Sequence, residues 1–360
     1  MSNGLKGVVA AQTRISHIDG QKGKLIYRGY DIQNIAQEYS FEEVAFLIWN
    51  GRFPTRIELS ELSKQIRDKR KLTKEMKAIM DVLPSNMEYM GVLRTVISAE
   101  GTLHYQWKPN LAQSITLTAI IPTIISYWRA KQSNKPFTSP NDELDHVENY
   151  LYMLNGARPT KAQVRALETY MILTLEHGMN ASTFSARVTA STESDIVSAI
   201  CAAIGTMKGP LHGGAPSGVL ALLDEIQTMD QAESVIQRKI HNGEKLMGFG
   251  HRVYKTHDPR AVALRNVLLE MDGEDPWLDL ALHVENEAIH ILNEYKPGRS
   301  LYTSVEFYAA AIMKSICMDS ELFTPTFTAS RIVGWTAHVL EQAEHNVIYR
   351  PQSEYIGDII

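Results

Sequence analysis

The sequence predicts an almost all-α protein with a small β element at its N-terminus. Apolar residues recur at three- and four-residue spacing through most of the chain, the mark of helices with one face on a core. Two-residue alternation is confined to TRISHIDGQKGKLIYRGYDI, where Asp19-Gly20 and Lys22-Gly23 punctuate a short hairpin. Helix-starting boxes then follow one another. Ser40 with Glu43 opens FEEVAFLIWN and Gly51 stops it. Helical stretches cover 111–129 and 142–154. Thr160 with Gln163 opens VRALETYMILTLEHG, which ends at Gly178, and Thr192 with Asp195 opens IVSAICAAIGTMKG. Further helices are expected over 217–226, 259–271, 277–295, 305–317 and 327–344.

Domain boundaries are faint. The clearest breaks are the glycine-rich run 209–218 and the irregular run 296–304, and a segment bounded by such loops reads as an inserted second domain. We divide the chain into a large domain, 1–212 and 312–360, and a small inserted domain, 213–311. At 44% hydrophobic and 21% charged residues the composition is that of a soluble globular protein. A net charge of -5 points to neither nucleic acid nor an anionic membrane as partner. The two cysteines, Cys201 and Cys317, sit in apolar sequence and suggest neither a disulfide framework nor a zinc site. No basic region followed by an apolar run opens the chain, so no signal peptide is expected. The most apolar stretch, 115–125, reads as too short to span a bilayer and carries Pro122.

Chemistry concentrates in a few loops. His212 lies in GPLHGGAPSG and His251 in MGFGHRVYKTHDPR, which also carries Arg252, Lys255 and Arg260. Glycine neighbours let the backbone approach a ligand closely. EHGMNASTFSAR offers His177, Asn180, Ser182 and Arg187, either as donors for an anion or as helix punctuation with Ser182 or Thr183 as cap. Arg260, Arg331 in TPTFTASRIVGW and Arg350 in NVIYRPQSEY would suit a di- or tricarboxylate if they converge. Glu306 is the one carboxylate in SVEFYAAAIM: a first-turn acid under Ser304 as cap, or a general base. His283, Glu287 and His290 have ligand-like spacing but lie on the polar face of an amphipathic helix, and His338, Glu341 and His345 read the same way. No metal site is expected.

Taken in order, GLKGVVAAQTRISHIDGQKGKLIYRGYDI, EHGMNASTF, GPLHGGA, GFGHRVYKTHDPR, VEFY, the Arg331 helix and the YRP tail resemble the citrate synthase family from end to end. The resemblance implies a helical, dimeric, cytoplasmic enzyme whose small domain closes over its ligands. It implies that acetyl-CoA condenses with oxaloacetate and that citryl-CoA is hydrolysed to citrate and CoA, with no permanently bound cofactor. On this likeness Glu306 is the base, His212 stabilises the enol, and His251 polarises the ketone of oxaloacetate. His177, Arg260 and Arg331 bind oxaloacetate, and Arg350 is delivered across a homodimer interface. Coenzyme A would lie along Met247, Gly248, Phe249 and Gly250, with Lys245 or Lys255 near its phosphates.

One position departs from the family, which usually has aspartate where this chain has Glu306. The added methylene moves the carboxylate by about 1.5 Å, one C–C bond length, unless the rotamer compensates. Two other activities stay open: 2-methylcitrate synthesis from propionyl-CoA, and a regulatory binding protein on the same fold.

Overall fold

The N-terminal alternation folds as expected. In a computed structural model, which describes residues 3–359 except 6, 214, 252, 271–275, 299 and 300, strands β1 (Ser16–Asp19) and β2 (Lys24–Tyr27) pair antiparallel with Ser16 opposite Tyr27. A two-residue β3 (Tyr30–Asp31) adds to β2. The glycines of the hairpin turn serve close contact. A Cβ on Gly20 would stand 2.3 Å from the Val253 carbonyl oxygen, and the same carbonyl region is fixed where Lys255 N–H donates to Gly20 O at 2.8 Å.

The other long elements of the described chain are helices. In chain order the helices are α1 (Ile32–Glu38), α2 (Phe41–Asn50), α3 (Arg56–Lys69), α4 (Lys74–Val82), α5 (Tyr89–Glu100) and α6 (Leu111–Gln132). Next come α7 (His146–Asn155), α8 (Lys161–Thr174), α9 (Ala181–Ser191), α10 (Ile196–Met207) and α11 (Ala215–Ile226). The last five are α12 (Met229–His241), α13 (Pro259–Glu270), α14 (Pro276–Tyr295), α15 (Val305–Ser315) and α16 (Phe323–Glu344).

The boxes at Ser40/Glu43 and Thr160/Gln163 form as expected, and Gly51 ends α2 in the left-handed region. Thr55/Glu58 and Asn110/Gln113 form two more, opening α3 and α6. Several expected boundaries shift because the neighbouring polar residue captures the free N–H groups. Thr192 closes α9, and Asp195 itself caps α10 by accepting from Ser198 N–H. Asn180, not Ser182 or Thr183, caps α9. Helix α8 stops at Thr174, short of Gly178. Helix α15 runs through residue 311 and stops at Ser315, and Cys317 is exposed rather than in apolar surroundings. Helix α6 corrects the length read from 115–125: its 22 residues are long and apolar enough to cross a membrane, yet most of its apolar window is buried in the protein. It packs on α3, α5, α7 and α16.

Helix α16 is the axis of the core. It is buried on nearly every face and packs on α2, α5, α6, α8, α9 and α10. Helices α11 to α15 pack chiefly on one another and meet the rest where α13 and α15 lie on α8 and α13 lies on α1. The loops of interest sit along that junction.

Candidate active site

His212 stands between α10 and α11, in a turn closed by His212 N–H to Gly209 O at 2.9 Å. Its Nε2 lies 2.7 Å from Ser182 Oγ in the first turn of α9. Ser182 is fully buried. Trp335 Nε1–H on α16 donates to the same hydroxyl at 3.0 Å, and Asn180 Oδ1 lies 2.8 Å from it. The hydroxyl's single proton therefore goes either to Asn180 or to His212 Nε2; in the second case the imidazole's own proton sits on Nδ1. Nδ1 has no hydrogen-bond partner among the described residues. Burial, with the Arg331 guanidinium, pushes His212 down to about 4 against the pull of Glu306, so the ring is neutral near pH 7.

The tautomer of His251 is set by the backbone. Its Nδ1 accepts N–H bonds from Val253 and Tyr254, both at 3.1 Å. An imidazole nitrogen that accepts carries no proton, so these two bonds favour a neutral ring with its hydrogen on Nε2, against the longer 3.4 Å contact of Arg260 Nη2, which can only donate, with that nitrogen. Burial and then Arg260 hold this group below its ordinary value, outweighing Asp258 and Glu306. His177 meets His251 edge to face, with centroids 5.6 Å apart, and its Nε2 is 3.1 Å from Tyr254 Oη. Burial, Arg260 and Arg331 hold His177 well below the usual histidine range.

Two of the three arginines face this cluster. Arg260 opens α13 and is buried against Asp258, giving Nε and Nη2 to its two oxygens at 3.0 and 2.8 Å. Asp258 Oδ2 also accepts Val305 N–H at 3.1 Å, which ties this pair to the start of α15. Arg331, on α16, gives Nε–H to Thr174 O at 2.7 Å and lies 4.8 Å over the Phe327 ring. The Nη atoms of Arg331 have no hydrogen-bond partner among the described residues.

Glu306 is in the first turn of α15. Ser304 does not cap that helix with its side chain. Its hydroxyl and N–H both go to Gly248 O, at 3.2 and 2.9 Å. Gly250 N–H donates to Tyr302 O at 2.7 Å, and Phe249 bridges Thr303. The glycine loop thus holds the segment that carries Glu306. Gly248 cannot be replaced without disturbance: its φ is 89°, and a Cβ would meet Val219 Cγ2 at 2.9 Å. The charge of Glu306 is felt at His212, His251 and Arg260, and its chain neighbour Val305 is bonded to the Asp258 that holds Arg260.

Other candidates fall elsewhere. Arg350 is exposed in an exposed tail, and Tyr349 before it is held at the end of α9 by its N–H bond to Ser191 Oγ at 3.1 Å. Lys245 and Lys255 are exposed and Met247 is half-buried. Arg252 lies outside the described residues. His283 and Glu287 are half-buried on α14, and of the three only His290 is exposed. His338 and Glu341 do not follow that pattern, because α16 is buried all round. Arg187 donates from Nη1 to His338 Nδ1 at 3.0 Å and to Glu341 at 2.7 Å, and His338 Nε2 donates to Glu176 Oε1 at 3.1 Å. Arg187 is therefore spent inside the protein and does not face a ligand. Tyr254, Asp258, Trp335 and Glu176 are the residues that sequence reading passed over. The Asp-Pro pair before α13 was the one local signal among them.

A family model described as "Citrate synthase, C-terminal domain" matches residues 4–352. The "Citrate synthase" of Mycolicibacterium smegmatis is 41% identical over 364 residues, covering 98% of this chain and 94% of that protein. The "2-methylcitrate synthase" of Mycobacterium tuberculosis is 38% identical over 364 residues, covering 99% and 91%. A solved ternary complex of citrate synthase from Thermoplasma acidophilum, with carboxymethyl coenzyme A and oxaloacetate, superposes with a TM-score of 0.92 at 29% identity, covering 100% of this chain and 97% of that one.

Proposed function

The chain belongs to the citrate synthase family, and we propose that it performs the family's reaction through the residues assembled above. It condenses acetyl-CoA with oxaloacetate and hydrolyses citryl-CoA to citrate and CoA. Glu306 takes a proton from the acetyl methyl group. As that C–H bond breaks, charge moves to the thioester oxygen, where a neutral N–H of His212 stabilises it. The enol carbon then attacks the ketone of oxaloacetate, whose oxygen is polarised by His251 Nε2–H. The observation that carries this reading is the pair of backbone N–H groups on His251 Nδ1, both at 3.1 Å, which favours a proton on Nε2 over the longer 3.4 Å contact of that nitrogen with Arg260 Nη2, itself only a donor.

His177, Arg260 and Arg331 take the carboxylates of oxaloacetate, with Arg350 reaching a neighbouring subunit's site in a cytoplasmic homodimer. Coenzyme A runs along 247–250, with Lys245 or Lys255 at its phosphates. The 213–311 segment moves as a small domain that excludes water until the new C–C bond has formed, after which a water molecule cleaves the thioester. The reaction needs no permanently bound cofactor.

The M. tuberculosis relative gives a specific reason to weigh propionyl-CoA as well. One extra methylene in an apolar pocket changes binding by about 1–3 kcal/mol, so activity with both thioesters is compatible with one site. The test is CoA release with acetyl-CoA and with propionyl-CoA in the presence of oxaloacetate. Faster turnover of acetyl-CoA is expected; preference for propionyl-CoA would replace the main reading. No turnover of either, with oxaloacetate still bound, would refute both.

A further inference from the structure

Glu176, the last residue before His177, is fully buried at the foot of the site. One of its oxygens is crowded. Oε1 accepts from Ser16 Oγ at 2.9 Å, from Gly178 N–H at 2.5 Å and from His338 Nε2 at 3.1 Å. The His338 proton is directed there because Arg187, which can only donate, occupies Nδ1. Three donors on one oxygen favour the ionised carboxylate. Burial alone would raise this group, yet His338, Arg331 and Ser16 together hold it below the ordinary carboxylate range.

The second oxygen is bare. Oε2 is buried without a hydrogen-bond partner among the described residues. It lies against α16 at Gly334, where a Cβ would stand 2.5 Å away. Arg331 is one turn back on that helix, anchored through Nε to Thr174 O, two residues before Glu176. No carboxylate lies within ion-pair distance of Arg331 among the described residues, and Glu176 is the strongest opposing charge that it feels. A buried guanidinium with no paired anion is costly, and so is a bare carboxylate oxygen. Set side by side without touching, each offsets part of the other's cost while both stay in place.

We propose that Glu176 is the resident counter-charge of Arg331, and that it holds the site's affinity for its dicarboxylate below what the arginines alone would give. This rests on the reading that Arg331 binds oxaloacetate. Glu176 is a positioning residue: it touches no reacting atom, but it makes the empty site tolerable and repels the arriving anion.

The sign of the effect separates this role from a merely structural one. Glu176→Gln keeps an oxygen for Ser16, Gly178 and His338 and removes the charge. Oxaloacetate binding, followed by calorimetry on the full chain, is expected to tighten by roughly three- to tenfold, as loss of one repulsive charge through partly screened protein predicts. The melting temperature of the unliganded variant is expected to fall. Unchanged or weaker binding would overturn the proposal, because losing a mere structural strut loosens the site. Absence of oxaloacetate binding in the unaltered protein would instead refute the function proposed above. Should Glu176→Gln fail to fold, the pair Glu176→Gln with Arg331→Gln decides by stability alone. With both charges gone it should be more stable than Glu176→Gln; a double variant no more stable would overturn the counter-charge.

Discussion

Replacing Ser182 by alanine separates what holds His212 from what holds the core. The hydroxyl lies 2.7 Å from His212 Nε2 and 2.8 Å from Asn180 Oδ1, and it accepts Trp335 Nε1–H at 3.0 Å. Asn180 keeps its backbone donors at 182 and 183, so it loses little. Trp335 is fully buried, and its indole N–H would be left without a partner. Such a group costs about 1–3 kcal/mol, and that is the expected loss in urea unfolding.

The catalytic loss has a different origin. His212 would keep its loop but lose the contact that orients its ring, and a displacement of about 1 Å can cost on the order of a hundredfold in rate. A fall in kcat of roughly 10- to 100-fold is expected, with KM for oxaloacetate little changed. Adding Trp335→Phe removes the orphaned donor. The double variant should show a coupling of about 1 kcal/mol in stability and no recovery of kcat. If Ser182→Ala is destabilised yet turns over within threefold of the unaltered protein, Ser182 is only a strut, and the orientation of His212 must come from elsewhere.

Other outcomes follow from the same geometry. Glu306→Gln should nearly abolish CoA release, whereas Glu306→Asp should retain or raise it; a large loss in the aspartate variant would mean the site has adapted to the longer side chain. His212 sits at about 4 in the fold against an ordinary 6.5. The unfolded chain therefore binds the extra proton first, and this contribution to stability is lost as pH falls from 6.5 toward 4. Urea unfolding at several pH values should show a shallower acid loss in His212→Gln. Gly20→Ala, whose Cβ would stand 2.3 Å from Val253 O, should raise KM for oxaloacetate by displacing the loop that sets the His251 tautomer; an unchanged KM would free the hairpin from that role. Arg350→Ala should weaken oxaloacetate binding, and mixed dimers of Arg350→Ala with His251→Ala subunits should regain activity if the arginine crosses the interface.

The hairpin, most of the longer helices and the two histidine loops were legible because glycine, proline and capping residues act locally. Arg260, Arg331 and Glu306 stood out as charges in apolar or glycine-rich sequence, and the fold sets Arg260 against His251 with His177 beside it. What escaped is what depends on a second element. Ser182 was read as an anion donor or a helix cap, and its part as the partner of His212 and Trp335 shows only once the loop after α10 and helix α16 meet it. The Tyr254 hydroxyl reaches the site through its bond to His177, 77 residues earlier. His338 and Glu341 carry the spacing of a solvated face, which assumes that a helix has a wet side, and α16 has almost none. Helices α1, α3, α4, α5 and α12 were missed: α1 has only seven residues, and charged and polar residues interrupt the apolar spacing of α3, α4 and α12, although Thr55 and Glu58 offered a box.

The arginines have a second consequence in this reading. A protonated histidine beside Glu306 would pair with it and take away its basicity, so a site with a carboxylate base and two histidine donors works only if the imidazoles stay neutral. Burial begins that task, and Arg260 and Arg331 add to it, each depressing at least one of the two ketone-side and enol-side histidines. The groups that would grip the dianion thus also keep Glu306 free for the proton.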